Sequence, residues 1–409
     1  MKWHYRVPGR VELAGKHTDY AGGPSVTCAT PMVMDAQVQR TGERVLRVRD
    51  VRTKRFVEMP LSADAAPNKE RWSVYIAAVV RRVARDFPDV RHGADVELAS
   101  ALPSSAGLSS SSALVVSAVM ALFDANALWE TASWSAVAGD ELAFAQYCAA
   151  VESGAPWGPY AGDTGVGTRG GAQDHIAICA SRSGMVGEYT YLPGRVVQRV
   201  AWPADWRIVV LNSGVKATKT GNARVAYNRV ADSVRALVTA WNAENGRADV
   251  TLADALASSA GAFDALTSFA ERVATPDMSA EYLRKRLAQY RDETTQVVPH
   301  LVDAIARGDA ALASACLEQS QRLAEDALEN QVPQTTWLAR SAVELGAAGA
   351  TAFGAGFGGA VWALVCGGDV RAFAKRWVDA YQREHHMPTS RVGVPRVMRP
   401  SAGMQRENV

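Results

Sequence analysis

The sequence predicts a chain of mixed strands and helices in two domains that divide near residue 200, and three observations predict it. A chain of 409 residues is too long for one ordinary core, which sets about 200 residues per domain. In the first half, strand-like alternation (5–11, 37–60, 96–98) interleaves with helical spacing. A composition shift over 195–206 then opens a second half dominated by helices behind an apolar strand at 206–211. The expected domains are 1–200 and 201–409.

Composition narrows the function. The net charge is +2 and the signs are interspersed, so neither nucleic acid nor an anionic membrane surface is expected as a partner. The N-terminus lacks an apolar signal region, and no apolar run reaches the roughly 18 residues a bilayer needs. A cytoplasmic location is expected. Cys28, Cys148, Cys179, Cys316 and Cys366 are scattered without C-x-x-C spacing, which reads as reduced, buried thiols.

The first strand breaks at 15–23 into a loop dense in charge. Arg10, Lys16, His17 and Asp19 lie among glycines that permit tight turns, which suits a polyhydroxylated ligand or, more plainly, a solvated surface loop. Residues 37–60 read as scaffold strands. Over 68–87 helical spacing puts Trp72, Tyr75, Ile76, Val79, Val80 and Val83 on one side, with Trp72 and Tyr75 either in the core or stacked on a base.

The densest signal is 102–114, where Ser104, Ser105, Ala106, Gly107, Leu108, Ser109, Ser110, Ser111 and Ser112 run into an apolar helix. Small residues leave backbone N–H groups uncovered, and a helix N-terminus adds partial positive charge, so an anion is expected here. The serine hydroxyls add donors and an oxygen ligand for Mg²⁺. A Ser-rich linker is the plainer reading, but strand-like and helical flanks oppose it. Neither a Walker A loop nor G-x-G-x-x-G fits the spacing.

The helical run 141–152 ends in Glu152, which by position alone reads as solvent-facing. Asp174 follows Gly170 and Gly171 inside an apolar stretch, where a carboxylate is expensive unless paired with a cation. It is the best catalytic carboxylate in the chain, or else a helix cap. In the second half, 215–222 is basic and turn-rich, 227–241 is helical, and 278–327 supplies two amphipathic helices. The glycine cluster of 346–359 precedes an apolar strand, marking close approach of backbone to a ligand or a tight strand connection.

Pro8-Gly9-Arg10-Val11 with Gly15 and His17-Thr18-Asp19-Tyr20-Ala21-Gly22-Gly23, then Gly107-Leu108-Ser109-Ser110-Ser111, then Gly354-Ala355-Gly356-Phe357-Gly358-Gly359, resemble in this order the three motifs of the GHMP kinase superfamily, most closely those of its galactokinase family. The resemblance runs from about Val7 to Val365. It implies an N-terminal α+β domain carrying the phosphate loop, a C-terminal ferredoxin-like domain, and an active site between them. It further implies ATP and Mg²⁺ as cofactors and a monosaccharide as phosphoryl acceptor at its anomeric hydroxyl. Carried over, Asp174 is the catalytic carboxylate with Arg10 beside it. The backbone of 104–110 holds the triphosphate, Ser111 and Glu152 ligate Mg²⁺, and Trp72 and Tyr75 flank adenine. His17, Asp19, Gly356 and Phe357 belong to the sugar end. A monomer or weak dimer is expected.

Departures from the family pattern bear on the sugar. Lys16 stands where galactokinases carry Glu, and Glu12 where they carry Asn. The context of the catalytic carboxylate reads Gln173-Asp174-His175, and about ten extra residues precede it, within 154–169. Either Arg224 or Tyr227 takes the place of a sugar-binding Tyr, depending on a gap. The expected substrate is galactose or a near relative. One alternative is an acidic sugar such as a uronic acid meeting Lys16 and Arg224. A non-catalytic sugar and ATP sensor is the alternative of another class.

Overall fold

The computed structural model describes residues 1–103, 106–216 and 222–409, and within these all side chains except those of 222–224 and 389. The first half supplies strands β1 (Lys2–Ala14), β2 (Ser25–Arg40), β3 (Val45–Asp50), β4 (Phe56–Pro60), β5 (Ala94–Ser100), β6 (Met185–Tyr191) and β7 (Gly194–Ala201). Its helices are α1 (Ser73–Asp86), α2 (Ser110–Ala125), α3 (Ala132–Ser135), α4 (Glu141–Ser153) and α5 (Gln173–Ala180). The second half adds β8 (Trp206–Asn212), β9 (Gly349–Ala352), β10 (Ala360–Cys366), β11 (Arg396–Met398) and β12 (Gln405–Asn408). Its helices are α6 (Asn222–Asn245), α7 (Leu252–Ala257), α8 (Ala262–Val273), α9 (Ala280–Asp292), α10 (Val298–Arg307), α11 (Ala310–Asp326), α12 (Pro333–Glu344), α13 (Val370–His385) and α14 (Thr389–Val392).

Two sheets organise the molecule. The larger runs β12-β1-β2-β5-β3-β4, with β6 and β7 extending from β2, and the smaller runs β11-β8-β10-β9. The mixed helix and sheet match the α+β expectation. The last strand departs from the simple division at 200: β12 pairs antiparallel with the start of β1, so the chain ends in the first sheet. We therefore propose 202–398 as the second unit and the remainder as the first.

β1 explains how the halves join. Its first residues alternate, with Trp3, Tyr5 and Val7 buried against α1 and α2. From Val7 onward every residue is buried, because two layers cover this stretch. Val11 and Leu13 enter a core shared with Ile208 and Val210 of β8, Trp362 of β10 and Leu301 of α10. Arg10 and Glu12, two residues apart, share the opposite face. Bulges between Pro8 and Arg10 and between Glu12 and Ala14 re-aim these side chains. In β8 the period-2 rule places Val209 and Leu211 in a separate core under α12 and α13.

The region 278–327 forms three α-helices rather than two. A π-helical turn, Glu293–Val297, interrupts it between α9 and α10, and Pro299 in the first turn of α10 needs no N–H partner there. Among the described residues no helix is long and apolar enough to cross a membrane.

Candidate active site

A cleft of about 1100 Å³ gathers residues from both halves, among them Trp72 and Tyr75, Gly107–Ser112, Asp19, Asp174 and Gly354. At its centre Arg10 Nε donates to Asp174 Oδ1 at 2.8 Å, and Nη2 lies 2.7 Å from the same oxygen. Arg10 Nη1 donates to the Gly107 carbonyl, and its backbone N–H reaches the Leu108 carbonyl at 3.3 Å. Ser112 Oγ approaches Asp174 Oδ2 at 3.3 Å. One guanidinium thus ties β1, the glycine turn and the first turn of α5 together. Burial works against its charge, but the carboxylates of Asp174 and Glu12 outweigh burial and hold its pKa above the usual arginine value.

The turn before α2 is built for an anion. Ser109 precedes the helix at φ 59° and makes no side-chain cap bond, so the first-turn N–H groups of α2 are left for what the cleft binds. The Ser109 hydroxyl is buried without a hydrogen-bond partner among the described residues. Gly107, at φ 76°, packs against Phe353, whose ring would lie 3.1 Å from an added Cβ. Ser110 and Ser111 also line the cleft. Ser104 and Ser105, expected at the phosphates, lie outside the described residues.

Glu152 is 4% exposed and lines the cleft, which corrects its reading as a solvent-facing helix end. The loop after α4 covers it: Val166 N–H donates to the Glu152 carbonyl, while Arg82 and Arg81 of α1 donate to the carbonyls of Ala155 and Gly165. His175 Nε2 lies 3.0 Å from Glu152 Oε2. Ser111 and Glu152 offer hard oxygen donors, the kind Mg²⁺ takes. Among the described residues no cluster of three His, Cys, Asp or Glu side chains could hold a metal by itself. The donor set fits an ion bound by two protein oxygens together with phosphates.

Among the residues expected at the sugar, His17 Nδ1 lies 2.8 Å from the Tyr20 hydroxyl, and its ring meets that of Tyr227 at 5.3 Å. Asp19 Oδ2 accepts from the Gln173 N–H at 3.3 Å, at the N-terminus of α5, and an added Cβ on Gly171 would collide with it. Tyr227 lines the cleft; the side chain of Arg224 lies outside the described residues. In the third motif the lining residues are Gly354 and Ala355. Gly356 (φ 66°) and Phe357 complete the turn and are not among the lining residues; Asn330 holds them, its carbonyl accepting from Phe357 N–H and its Nδ2 donating to the Gly354 carbonyl at 2.8 Å.

Lys16 is not brought to the cleft wall. Its ammonium, 1% exposed, donates to Ser320 Oγ at 2.5 Å and Thr351 Oγ1 at 2.8 Å, and Ser320 donates on to Glu293 at 2.8 Å. Burial pulls its pKa below the usual lysine value, opposed by Glu293 and Glu12. An acidic sugar in the cleft therefore cannot meet this ammonium, and the uronic-acid reading loses Lys16; the side chain of Arg224, its other cation, lies outside the described residues. Glu12 lines the cleft instead.

Sequence reasoning missed the second-half residues that hold the loop 15–23. Arg286 donates to the His17 carbonyl at 2.6 Å, Gln289 to the Lys16 carbonyl at 3.0 Å, and Glu293 accepts from the Gly15 N–H at 2.8 Å. Their signal was available: three polar side chains spaced i, i+3, i+7 share the stripe with Leu283, Leu287 and Tyr290.

The chain is similar to known proteins. The family model for the galactokinase galactose-binding signature matches residues 2–40, that for the GHMP kinases N terminal domain 74–160, and that for the GHMP kinases C terminal 301–383. The galactokinase of Actinobacillus pleuropneumoniae serotype 5b (strain L20) is 27% identical over 92% of this chain and 89% of its own. The galactokinase of Streptomyces coelicolor is 27% identical over 98% of this chain and 93% of its own. The Lactococcus lactis galactokinase complexed with galactose shares the fold at a TM-score of 0.77, with 20% identity over 99% of this chain and 95% of that one.

Proposed function

This chain belongs to the GHMP kinase superfamily, as a sugar kinase akin to the galactokinases, and on that premise we propose that it moves the γ-phosphoryl group of ATP to the anomeric (C1) hydroxyl of galactose or a near relative. The observation that carries the proposal is the Arg10–Asp174 pair in the same cleft as the uncapped N-terminus of α2.

Each group then has a role. Asp174 accepts or orients the proton of the attacking hydroxyl, and Arg10 fixes that carboxylate while offering positive charge beside the transferring group. The backbone of the glycine turn and the first turn of α2 bind the phosphates. Ser111 and Glu152 would hold Mg²⁺, which supplies charge neutralisation on the phosphates when bound. Trp72 and Tyr75 suit the adenine, and His17, Asp19 and Tyr227 suit sugar hydroxyls. A reducing, cytoplasmic setting is part of the proposal, on the scattered cysteines without C-x-x-C spacing.

ADP release measured over a panel of monosaccharides, alongside sugar binding, tests the proposal. Galactose or a close relative is expected to stimulate release, and Asp174→Asn to lower kcat by about 10²–10⁴. Binding of sugar and ATP with no ADP release would instead make the protein a sensor.

A further inference from the structure

Glu12 has a carboxylate oxygen without a hydrogen-bond partner among the described residues. The side chain is 4% exposed and forms part of the cleft wall beside Arg10, Asp19 and Gln173. Its Oε2 accepts from Gln173 Nε2 at 2.6 Å, the residue just before Asp174. Its Oε1 is buried and has no hydrogen-bond partner among the described residues. The neighbouring turn makes room for this carboxylate, since a Cβ on Gly354 would sit 2.5 Å from Oε1 and 2.7 Å from Oε2. A buried acceptor left unmade costs stability unless a ligand supplies the donor. Because Glu12 belongs to the cleft wall, the molecule bound in the cleft can supply it.

We infer that Glu12 is a specificity-determining contact to the sugar, whose carboxylate takes a hydrogen bond from a hydroxyl or ammonium group, so that the cleft admits neutral and amino sugars and rejects uronic acids. The inference rests on the sugar-kinase reading. Of the cations that act on Glu12, Arg10 is already committed to Asp174 and Gly107, and the Lys16 ammonium is committed to Ser320 and Thr351. A substrate carboxylate beside Glu12 would meet like charge with these two cations already engaged.

The test is calorimetric binding, with a non-hydrolysable ATP analogue present, of galactose, its monodeoxy analogues, galactosamine and galacturonate. Wild type is expected to bind galacturonate, and one monodeoxy analogue, about 10- to 100-fold more weakly than galactose. Glu12→Ala should erase the penalty for that one analogue. Glu12→Gln, which keeps an acceptor but not the charge, should keep galactose binding and relax the rejection of galacturonate. Galacturonate binding wild type as tightly as galactose overturns the inference without any variant. So does a Glu12→Ala profile that parallels wild type for every analogue while ADP release on galactose persists, and that result leaves the kinase reading standing. If no sugar binds and none releases ADP, the kinase reading falls and this inference with it.

Discussion

Replacing Arg10 by Met is the perturbation that most directly probes the centre of the cleft. The change removes both contacts to Asp174 Oδ1, at 2.8 and 2.7 Å, and the bond to the Gly107 carbonyl. Breaking one side of a buried pair costs about 3–5 kcal/mol. Asp174 keeps 15% of its side chain exposed, so water relieves part of the loss and the lower end, about 3 kcal/mol, is expected. The rate should suffer separately, because a fixed cation beside the transferring phosphoryl group is worth about 10²–10³ in kcat. Arg10→Lys separates the two effects: a single ammonium can neutralise Asp174 but cannot also reach Gly107 in the same geometry. Urea denaturation should show Arg10→Lys regaining much of the stability lost in Arg10→Met. Its kcat at saturating ATP and sugar should remain at least about tenfold down. If folded Arg10→Met retains kcat within about threefold of wild type, the pair is structural and the reaction has been placed on the wrong groups.

Three further outcomes follow from the same geometry. Lys16→Glu would set a new carboxylate against Glu293 in a dry pocket and should cost about 3–5 kcal/mol by urea denaturation, whereas sugar preference in the folded fraction stays unchanged because the side chain does not line the cleft. Burial raises the Glu12 carboxyl above its usual range, against Arg10, Lys16 and the Gln173 amide and with some help from Glu293. A sugar donor favours the ionised form, so sugar affinity should be weakest below the raised pKa and strengthen as pH rises through it, a slope that calorimetry should find missing in Glu12→Gln. Ser111→Ala and Glu152→Gln should each raise the Mg²⁺ concentration needed for nucleotide binding, by about tenfold or more in a fluorescence titration, while leaving sugar binding in place.

How far the sequence could be read depended on whether a residue's partners were local. Arg10, Asp19 and Asp174 were legible because charges set among glycines and apolar residues are costly unless used, and that cost is visible in a short window. Glu152 was not. Its helix is apolar on most sides, and nothing in the periodicity shows that the loop after it folds back to cover its last turn. Trp72 and Tyr75 stayed open between core and ligand because α1 leaves the core at its first turn, and both rings are half buried there while lining the cleft. Arg224 and Tyr227 stayed open because the choice between them turned on a gap in a short polar stretch, and only the fold places Tyr227 against His17.

Lys16 shows the limit most clearly, and it also shows why the loop needs both halves. Gly15 at φ 93° and His17 at φ 56° are left-handed, and Lys16 between them points to Ser320 and Thr351 while His17 and Asp19 line the cleft. Left-handed φ at His17 is tolerated because its own carbonyl is held by Arg286, and those of its neighbours Lys16 and Ala21 by Gln289 and Tyr290. The loop 15–23 belongs to the first sheet by sequence, yet its conformation is imposed by polar side chains of α9 and the turn after it. A substitution such as Gln289→Leu, remote from any reacting atom, would free the Lys16 carbonyl in a buried site and should loosen sugar binding while leaving nucleotide binding intact. Equal loss of both would mean that α9 supports the whole cleft rather than this loop.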